Sequence, residues 1–227
     1  MSVSYPGESA EYRAARDRLL EQEAALRRLT EEVAAARRAL PPGALVAEDY
    51  VFEEAGEDGT PRPRALSELF APGHDSLAIY SFMFPGSPEN DGPCASCTQF
   101  LDSFDRVVHH AGQRVSVAIV AKAPVDRLRA HAERRGWRNL RLLSAAGNTY
   151  QRDYLAETDG GAQLPMLNVF RRDGGEIRHA WGSELMYAPA EPGQDPRHND
   201  TIDPLWNLFD FTPAGRGTDW FPALSYD

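Results

Sequence analysis

Both cysteines of the 227-residue chain stand in one place, Pro93-Cys94-Ala95-Ser96-Cys97. The apolar run Leu77 to Phe84 precedes them and a helix-like stretch follows. The thiolate, not the thiol, is the sulfur nucleophile, so a working dithiol needs one sulfur with a lowered pKa. A helix start supplies the means, since its unpaired N–H groups and positive dipole end favour a negative charge. Cys94 is therefore the expected attacking residue. Cys97, one turn on and on the same side of the helix, is expected to resolve a mixed disulfide. In a reducing compartment such a pair is more often catalytic, redox-sensing or metal-bound than structural.

Zinc is the main rival for the two sulfurs, because His109 and His110 follow them. Structural zinc takes four ligands, and adjacent histidines leave a helix in different directions, so one at most could join the pair. The expectation is no metal and no cofactor. His109 and His110 read more simply as the end of a helix, where cations complement the dipole. Upstream, Glu89 and Asp91 would oppose the helix by raising a thiol pKa if they lay against the sulfur. A second feature is Leu164-Pro165-Met166-Leu167-Asn168-Val169-Phe170, an apolar strand that opens with proline. Proline is tolerated there because a donor is not needed at the first strand residue.

The elements that must position these residues follow from periodicity. From Glu8 to Leu40 the chain has no Gly or Pro, and Tyr12, Leu19, Leu26, Val33 and Leu40 recur every seven residues. This predicts one long amphipathic helix closed by Pro41-Pro42-Gly43. Its stripe either packs on its own domain or forms a homodimer contact. Leu45-Val46 and Tyr50-Val51-Phe52 alternate with acidic residues up to Gly56-Glu57-Asp58-Gly59, as in a hairpin or a strand and turn. A helical turn at residues 65–70 leads to the strand Leu77 to Phe84. Then come a helix from about Cys94 to His110, a strand from Arg114 to Ala121 and a helix from Pro124 to Arg135. A strand near Leu140 to Leu143, a helix near Thr149 to Glu157 and the strand Met166 to Arg171 follow. The turn Asp173-Gly174-Gly175 and a strand from Glu176 to Trp181 complete a hairpin. The order predicts an α/β fold, a mixed sheet with helices on its faces. Residues 188–199 read as an exposed loop, and the aromatic tail from Ile202 has enough apolar surface to dock on the body.

Composition narrows the function classes. A formal charge of -10 and a pI near 5.1 argue against nucleic acid, whose phosphates need clustered Lys and Arg. Residues 1–10 carry neither a basic nor an apolar leader pattern, and no run of about 18 apolar residues occurs. A cytoplasmic protein without a membrane span is expected.

The succession of strand, C-x-x-C, helix, strand, helix, strand, helix, proline-led strand, Asp-Gly-Gly turn and strand resembles the thioredoxin fold. Glu48-Asp49-Tyr50-Val51-Phe52, Leu66-Ser67-Glu68-Leu69-Phe70, Tyr80-Ser81-Phe82-Met83-Phe84, Arg135-Gly136-Trp137, Asp153-Tyr154 and residues 210–216 are similar to one bacterial family. That family is the thioredoxin-like domain of unknown function numbered 899. The resemblance covers most of the chain and implies the thioredoxin fold; with the periodicity and composition above, the expected organisation is an amphipathic helix over 1–43, a thioredoxin-like domain over 44–187 and a docked loop and tail over 188–227. The resemblance also implies a cis Pro165, with Leu164 presenting backbone groups to a bound peptide or disulfide. Departures from working thioredoxins are Ala95-Ser96 between the cysteines, no Trp before Cys94, and no carboxylate identifiable by spacing for the resolving thiol.

Thiol–disulfide exchange on a protein or small-molecule thiol or disulfide is the leading reading. A redox-inert binding or scaffold protein is the alternative from another class. Peroxidase chemistry is a third reading, although Asn90-Asp91-Gly92-Pro93 fill the approach where a peroxidatic site usually places Thr or Ser. Asp153 and Tyr154 could line the site, or serve as a cap and a packing partner. Trp181, Trp206 and Trp220 could wall a ligand, or cover the body under the tail.

Overall fold

Residues 4–56, 58–87, 89–189 and 200–226 are described in the structure, a computed structural model. Most of the expected 188–199 loop therefore lies outside the described residues. The chain divides into two units, Met1–Pro42 and Gly43–Asp227.

The first unit is the helix α1, Ala10–Arg38. Its uninterrupted Ala, Leu, Glu and Arg content favours the helical state at almost every position. The Ser9 hydroxyl caps the start by accepting from Tyr12 N at 3.1 Å. Arg37 and Arg38 fill the last turn, where positive charge offsets the dipole. No residue of α1 is buried.

The second unit holds strands β1 (Val51–Ala55), β2 (Pro61–Ala65), β3 (Ser76–Ser81), β4 (Ser116–Ala121), β5 (Leu142–Ser144), β6 (Met166–Asp173) and β7 (Glu176–Gly182). Its helices are α2 (Ala95–Ala111), α3 (Val125–Arg135), α4 (Tyr150–Asp153) and α5 (Pro204–Asp210). The strands form one sheet in the order β2-β1-β5-β4-β3-β6-β7. β3, β4 and β5 run parallel through the helical crossovers α2 and α3, while β6 and β7 lie antiparallel beside β3. This is a thioredoxin-like fold, extended at the β5 side by the antiparallel hairpin β1–β2. β2 carries Pro61 and Pro63 and stands at the sheet edge, where a strand can lack donors. The β6–β7 turn puts Gly174 at φ 57° and Gly175 at φ 93°, which a tight hairpin turn asks of its two central residues.

Strand alternation divides the core in two. Leu77, Ile79, Val120, Leu143 and Phe170 face one way and pack with Tyr50, Phe52 and Tyr150. Tyr80, Phe82, Ile119 and Ala121 face the other way and pack with Phe100, Leu101 and Leu128 of α2 and α3. Each such buried side chain contributes about 1.5–3 kcal/mol. β3 carries buried residues on both faces, so the element that delivers the dithiol is packed from both sides of the sheet.

One expectation needs correction, and one element went unread. α4 spans Tyr150–Asp153 rather than 149–157. The chain reverses after it: Leu155 takes φ 61° and Ala156 N donates back to Gln151 O at 2.6 Å. The helix at 204–210 was hidden in the aromatic tail. Asp203 caps it by accepting from Leu205 N at 3.0 Å and also accepts from Gln99 Nε2 of α2 at 3.3 Å. Arg135 of α3 donates to Leu224 O at 2.7 Å, so the tail is tied at two places. Trp206 and Trp220 meet within the tail, their rings 6.0 Å apart, while Trp181 lies on β7. Among the described residues no helix is long and apolar enough to cross a membrane.

Candidate redox site

β3 ends at Ser81, and the chain loops through residues 82–93 before α2 begins. Cys94 is the N-cap of α2, with φ -64° and ψ 128°. Its own N–H donates to Met83 O at 2.9 Å, which fixes the helix start on the end of β3. Its carbonyl accepts from Thr98 N at 3.0 Å and from the Thr98 hydroxyl at 2.8 Å. Gly86 packs directly on this backbone. A Cβ there would stand 3.1 Å from Cys94 N and 3.2 Å from Gly92 O, so a side chain at residue 86 would require this backbone to shift by a few tenths of an ångström. Sequence reading passed over Gly86, although a glycine inside a proline-rich loop before a site is the available signal.

The two sulfurs differ in kind. Cys94 is partly exposed, and Cys97 is buried at 3% exposure; both are free thiols. The Cys94 pKa is drawn down to about 6, chiefly because the Cys97 thiol donates to its sulfur. Partial burial opposes this, and the N–H groups of Cys97 and Ser96 reinforce it. These are the free donors of the first helical turn. Cys97 is held well above its usual value by that same hydrogen bond to Cys94, by burial and by the negative charge beside it. Two groups work in the opposite direction. The Tyr80 hydroxyl donates to Cys97 Sγ at 3.4 Å, and the Met83 N–H also points to it. A thiolate formed at Cys97 thus meets two donors without a carboxylate.

The surroundings settle what the acidic loop does. Asp91 is engaged by Arg127, whose Nη1 lies 2.9 Å from both carboxylate oxygens, and Glu89 accepts from the Ser87 hydroxyl at 3.0 Å. Both carboxylates are thus engaged by partners other than the dithiol. The Arg127 guanidinium also sits 4.9 Å over the Phe84 ring. Behind the dithiol, His131 is buried with its Nε2 3.2 Å from the Thr98 hydroxyl. That hydroxyl donates to Cys94 O, so it accepts from the ring, which assigns the proton to Nε2. Burial pushes the His131 pKa down to about 4, with Arg134 and Arg135 adding to the effect.

The expected proline partner is placed differently. Among the described residues the cis peptide bond is Phe84–Pro85, and Leu164–Pro165 is trans. The bridge Glu157↔Gln163 and the bond from Leu164 N to Ala156 O at 2.8 Å already hold this segment extended into β6. The ordinary trans link therefore suffices. Both Leu164 and Pro165 are partly buried. The hydrogen bonds to the two sulfurs come from Tyr80, Met83, Ser96 and the cysteines themselves. His109 and His110 occupy the last turn of α2. At about 1.5 Å of rise per residue they lie roughly 18 Å from Cys97, too far to share a metal with it. Among the described residues no three His, Cys, Asp or Glu side chains converge as a metal site.

The fold and this site together define a thioredoxin-like protein with two free thiols of unequal acidity at a helix start. The chain belongs to the family described as "Bacterial protein of unknown function (DUF899)", which it matches over residues 2–226. No curated protein matches it in sequence. Among solved structures, a variant of Xanthomonas campestris peroxiredoxin Q is 15% identical with a TM-score of 0.47, over 70% of this chain and 92% of that one. Peroxidoxin BcpB from Mycobacterium tuberculosis is 20% identical with a TM-score of 0.43, over 72% of this chain and 94% of that one. The reduced 2-Cys peroxiredoxin from Plasmodium vivax is 13% identical with a TM-score of 0.45, over 61% and 84%. Likeness at this level carries nothing about activity.

Proposed function

We propose that the protein is a thiol–disulfide oxidoreductase that uses Cys94 and Cys97 on a protein or small-molecule disulfide, in a reducing cytoplasm. The observation that carries this reading is the placement of two free thiols on the first turn of α2, Cys94 partly exposed at the N-cap and Cys97 buried behind it, with the Cys94 pKa drawn down and that of Cys97 held up. In the reducing direction, the Cys94 thiolate attacks one sulfur of a substrate R–S–S–R′. A Cys94–S–S–R bond forms and R′S⁻ leaves. Cys97 gives up its proton and attacks Cys94 Sγ, which forms the Cys94–Cys97 disulfide and expels RS⁻. The substrate gains two electrons and the dithiol loses two. During the second step the Tyr80 hydroxyl and Met83 N–H would stabilise the charge on Cys97.

The test is turnover of a small aromatic disulfide with dithiothreitol as reductant. Cys94→Ser should abolish turnover, and pre-reduced Cys97→Ser, mixed with the disulfide after dithiothreitol is removed, should stop at the mixed disulfide. A wild-type chain that turns over no disulfide, with a Cys94→Ala, Cys97→Ala double variant that keeps all cellular activity, would favour the scaffold reading. Cys94-dependent consumption of hydrogen peroxide, with no disulfide turnover, would favour the peroxidase reading instead.

For α1 the proposed partner is a second copy of the chain, because its apolar residues recur every seven positions and Leu19, Leu26 and Val33 are exposed. Light scattering of the full chain should give a dimer mass, which Leu19→Asp with Leu26→Asp should halve. A mass unaffected by that double variant counts against this contact.

A further inference from the structure

A cavity with a volume of about 690 Å³ lies beside α4, β6 and β7. This is within the range of about 300–1,000 Å³ usual for small-molecule sites. It does not belong to the dithiol. Met166 and Asn168 line it, while the intervening Leu167 packs on the opposite face with Cys97 and α2. Asp153 and Tyr154, considered above for the redox site, belong to this second cavity.

Its hydrogen-bonding character is one-sided. The Tyr50 hydroxyl spends its proton on Asp153 Oδ2 at 2.9 Å, and the Thr149 hydroxyl donates to the same oxygen. Asn168 donates through Nδ2 to Tyr154 O at 3.1 Å, which turns its Oδ1 to His179 Nε2 at 2.8 Å. The His179 proton is thereby assigned to Nε2, leaving Nδ1 a lone pair. Burial lowers the His179 pKa, so the ring carries no charge at neutral pH. Glu48 and Glu184 stand at the rim, and among the described residues no Lys or Arg lines the cavity. The walls include the Tyr50 and Tyr154 rings, edge to face at 5.8 Å, and the Met166 side chain. Such a chamber offers acceptors, negative charge and aromatic surface, and holds few protons to give. An anion would be repelled, and a neutral acceptor would find little to bind it.

We propose that this cavity is a binding site for a small organic cation, a primary amine or guanidinium on an apolar body, on the sheet face opposite the dithiol. The ammonium or guanidinium would donate to Asp153 and the rim carboxylates. The apolar body would lie against Tyr50, Tyr154 and Met166.

The test is a ligand-detected NMR titration of the full chain with benzylamine, with benzyl alcohol as its neutral isostere. Benzylamine should bind saturably, and benzyl alcohol about tenfold or more weakly, since losing one charge-assisted contact costs about 1.4 kcal/mol or more. Asp153→Asn should weaken benzylamine about tenfold. Glu48→Gln with Glu184→Gln, both at exposed positions, should weaken it severalfold without disturbing the fold. Cys94→Ser should leave it unchanged, which separates this site from the redox reading. Equal binding of the two probes, no saturation below about 10 mM, or insensitivity to both sets of carboxylate variants would overturn the proposal.

Discussion

The Tyr80 hydroxyl lies 3.4 Å from the Cys97 sulfur, and both residues are buried. A phenol takes the position where an ionisable acid could otherwise accept the resolving thiol's proton. Tyr80 can donate to a Cys97 thiolate, but it does not accept the leaving proton at neutral pH. Cys97 must therefore lose its proton to the departing thiolate or to solvent, and Tyr80 then holds the charge that remains. This division of labour makes Cys94 the site of attack and Cys97 the sulfur activated only after a mixed disulfide has formed.

The acidity of Cys94 should follow from its neighbour. Its alkylation by iodoacetamide should rise with pH to half-maximum at about 6. Cys97→Ala removes the main donor, so the midpoint should move up by about a unit or more, whereas Cys97→Ser keeps a donor and should shift it less. The measurement is the alkylation rate from pH 4 to 9. A midpoint that ignores Cys97→Ala would show that the helix start alone sets the value.

Tyr80→Phe isolates the phenol. Losing a hydrogen bond to a charged acceptor costs about 1.5–3 kcal/mol, so collapse of the mixed disulfide should slow roughly tenfold to a hundredfold. Alkylation of Cys94 should be little changed. Stopped-flow release of thionitrobenzoate from a Cys94 adduct reads the step directly. An equal slowing of both reactions would mean that the variant merely loosens the core.

His131 should make the fold acid-sensitive. Its folded pKa is about 4, below the usual value near 6.5. The unfolded chain therefore binds more protons through that window, and stability contributed by the neutral ring is complete above about pH 6.5 and lost as pH falls towards 4. His131→Gln keeps a donor for Thr98 without the titration. Thermal melts at several pH values should show a shallower loss between pH 6.5 and 4 in the variant; parallel curves would refute the assignment.

Much of the architecture was legible in the sequence because local pattern and tertiary role agree there. The Leu77 strand, the helix after Cys94, Pro124 before α3 and the Asp173-Gly174-Gly175 turn each carry their own signal. What was hidden depends on distant partners. The length of α4 is cut by a reversal at Leu155, which no residue near it requires. The expected cis link at Leu164–Pro165 is trans, and the cis bond at Phe84–Pro85 is a different one, before the dithiol. The contribution of Tyr80 could not be read from spacing, since it lies 17 positions before Cys97 and meets it only when α2 folds back on β3. Asp91, suspected of raising the thiol pKa, is claimed by Arg127 from another helix. Likewise the Tyr50–Asp153 contact joins residues 103 positions apart, so no window along the chain displays the second cavity.

The most direct measurement is the equilibrium of the full chain in graded dithiothreitol buffers, followed by acid quench, alkylation and intact-mass spectrometry. The account predicts one cooperative transition between a form with both cysteines alkylated and a form with neither, reversible from either side. Two thiols that remain alkylatable across the whole series, or sulfurs oxidised independently of one another, would contradict it.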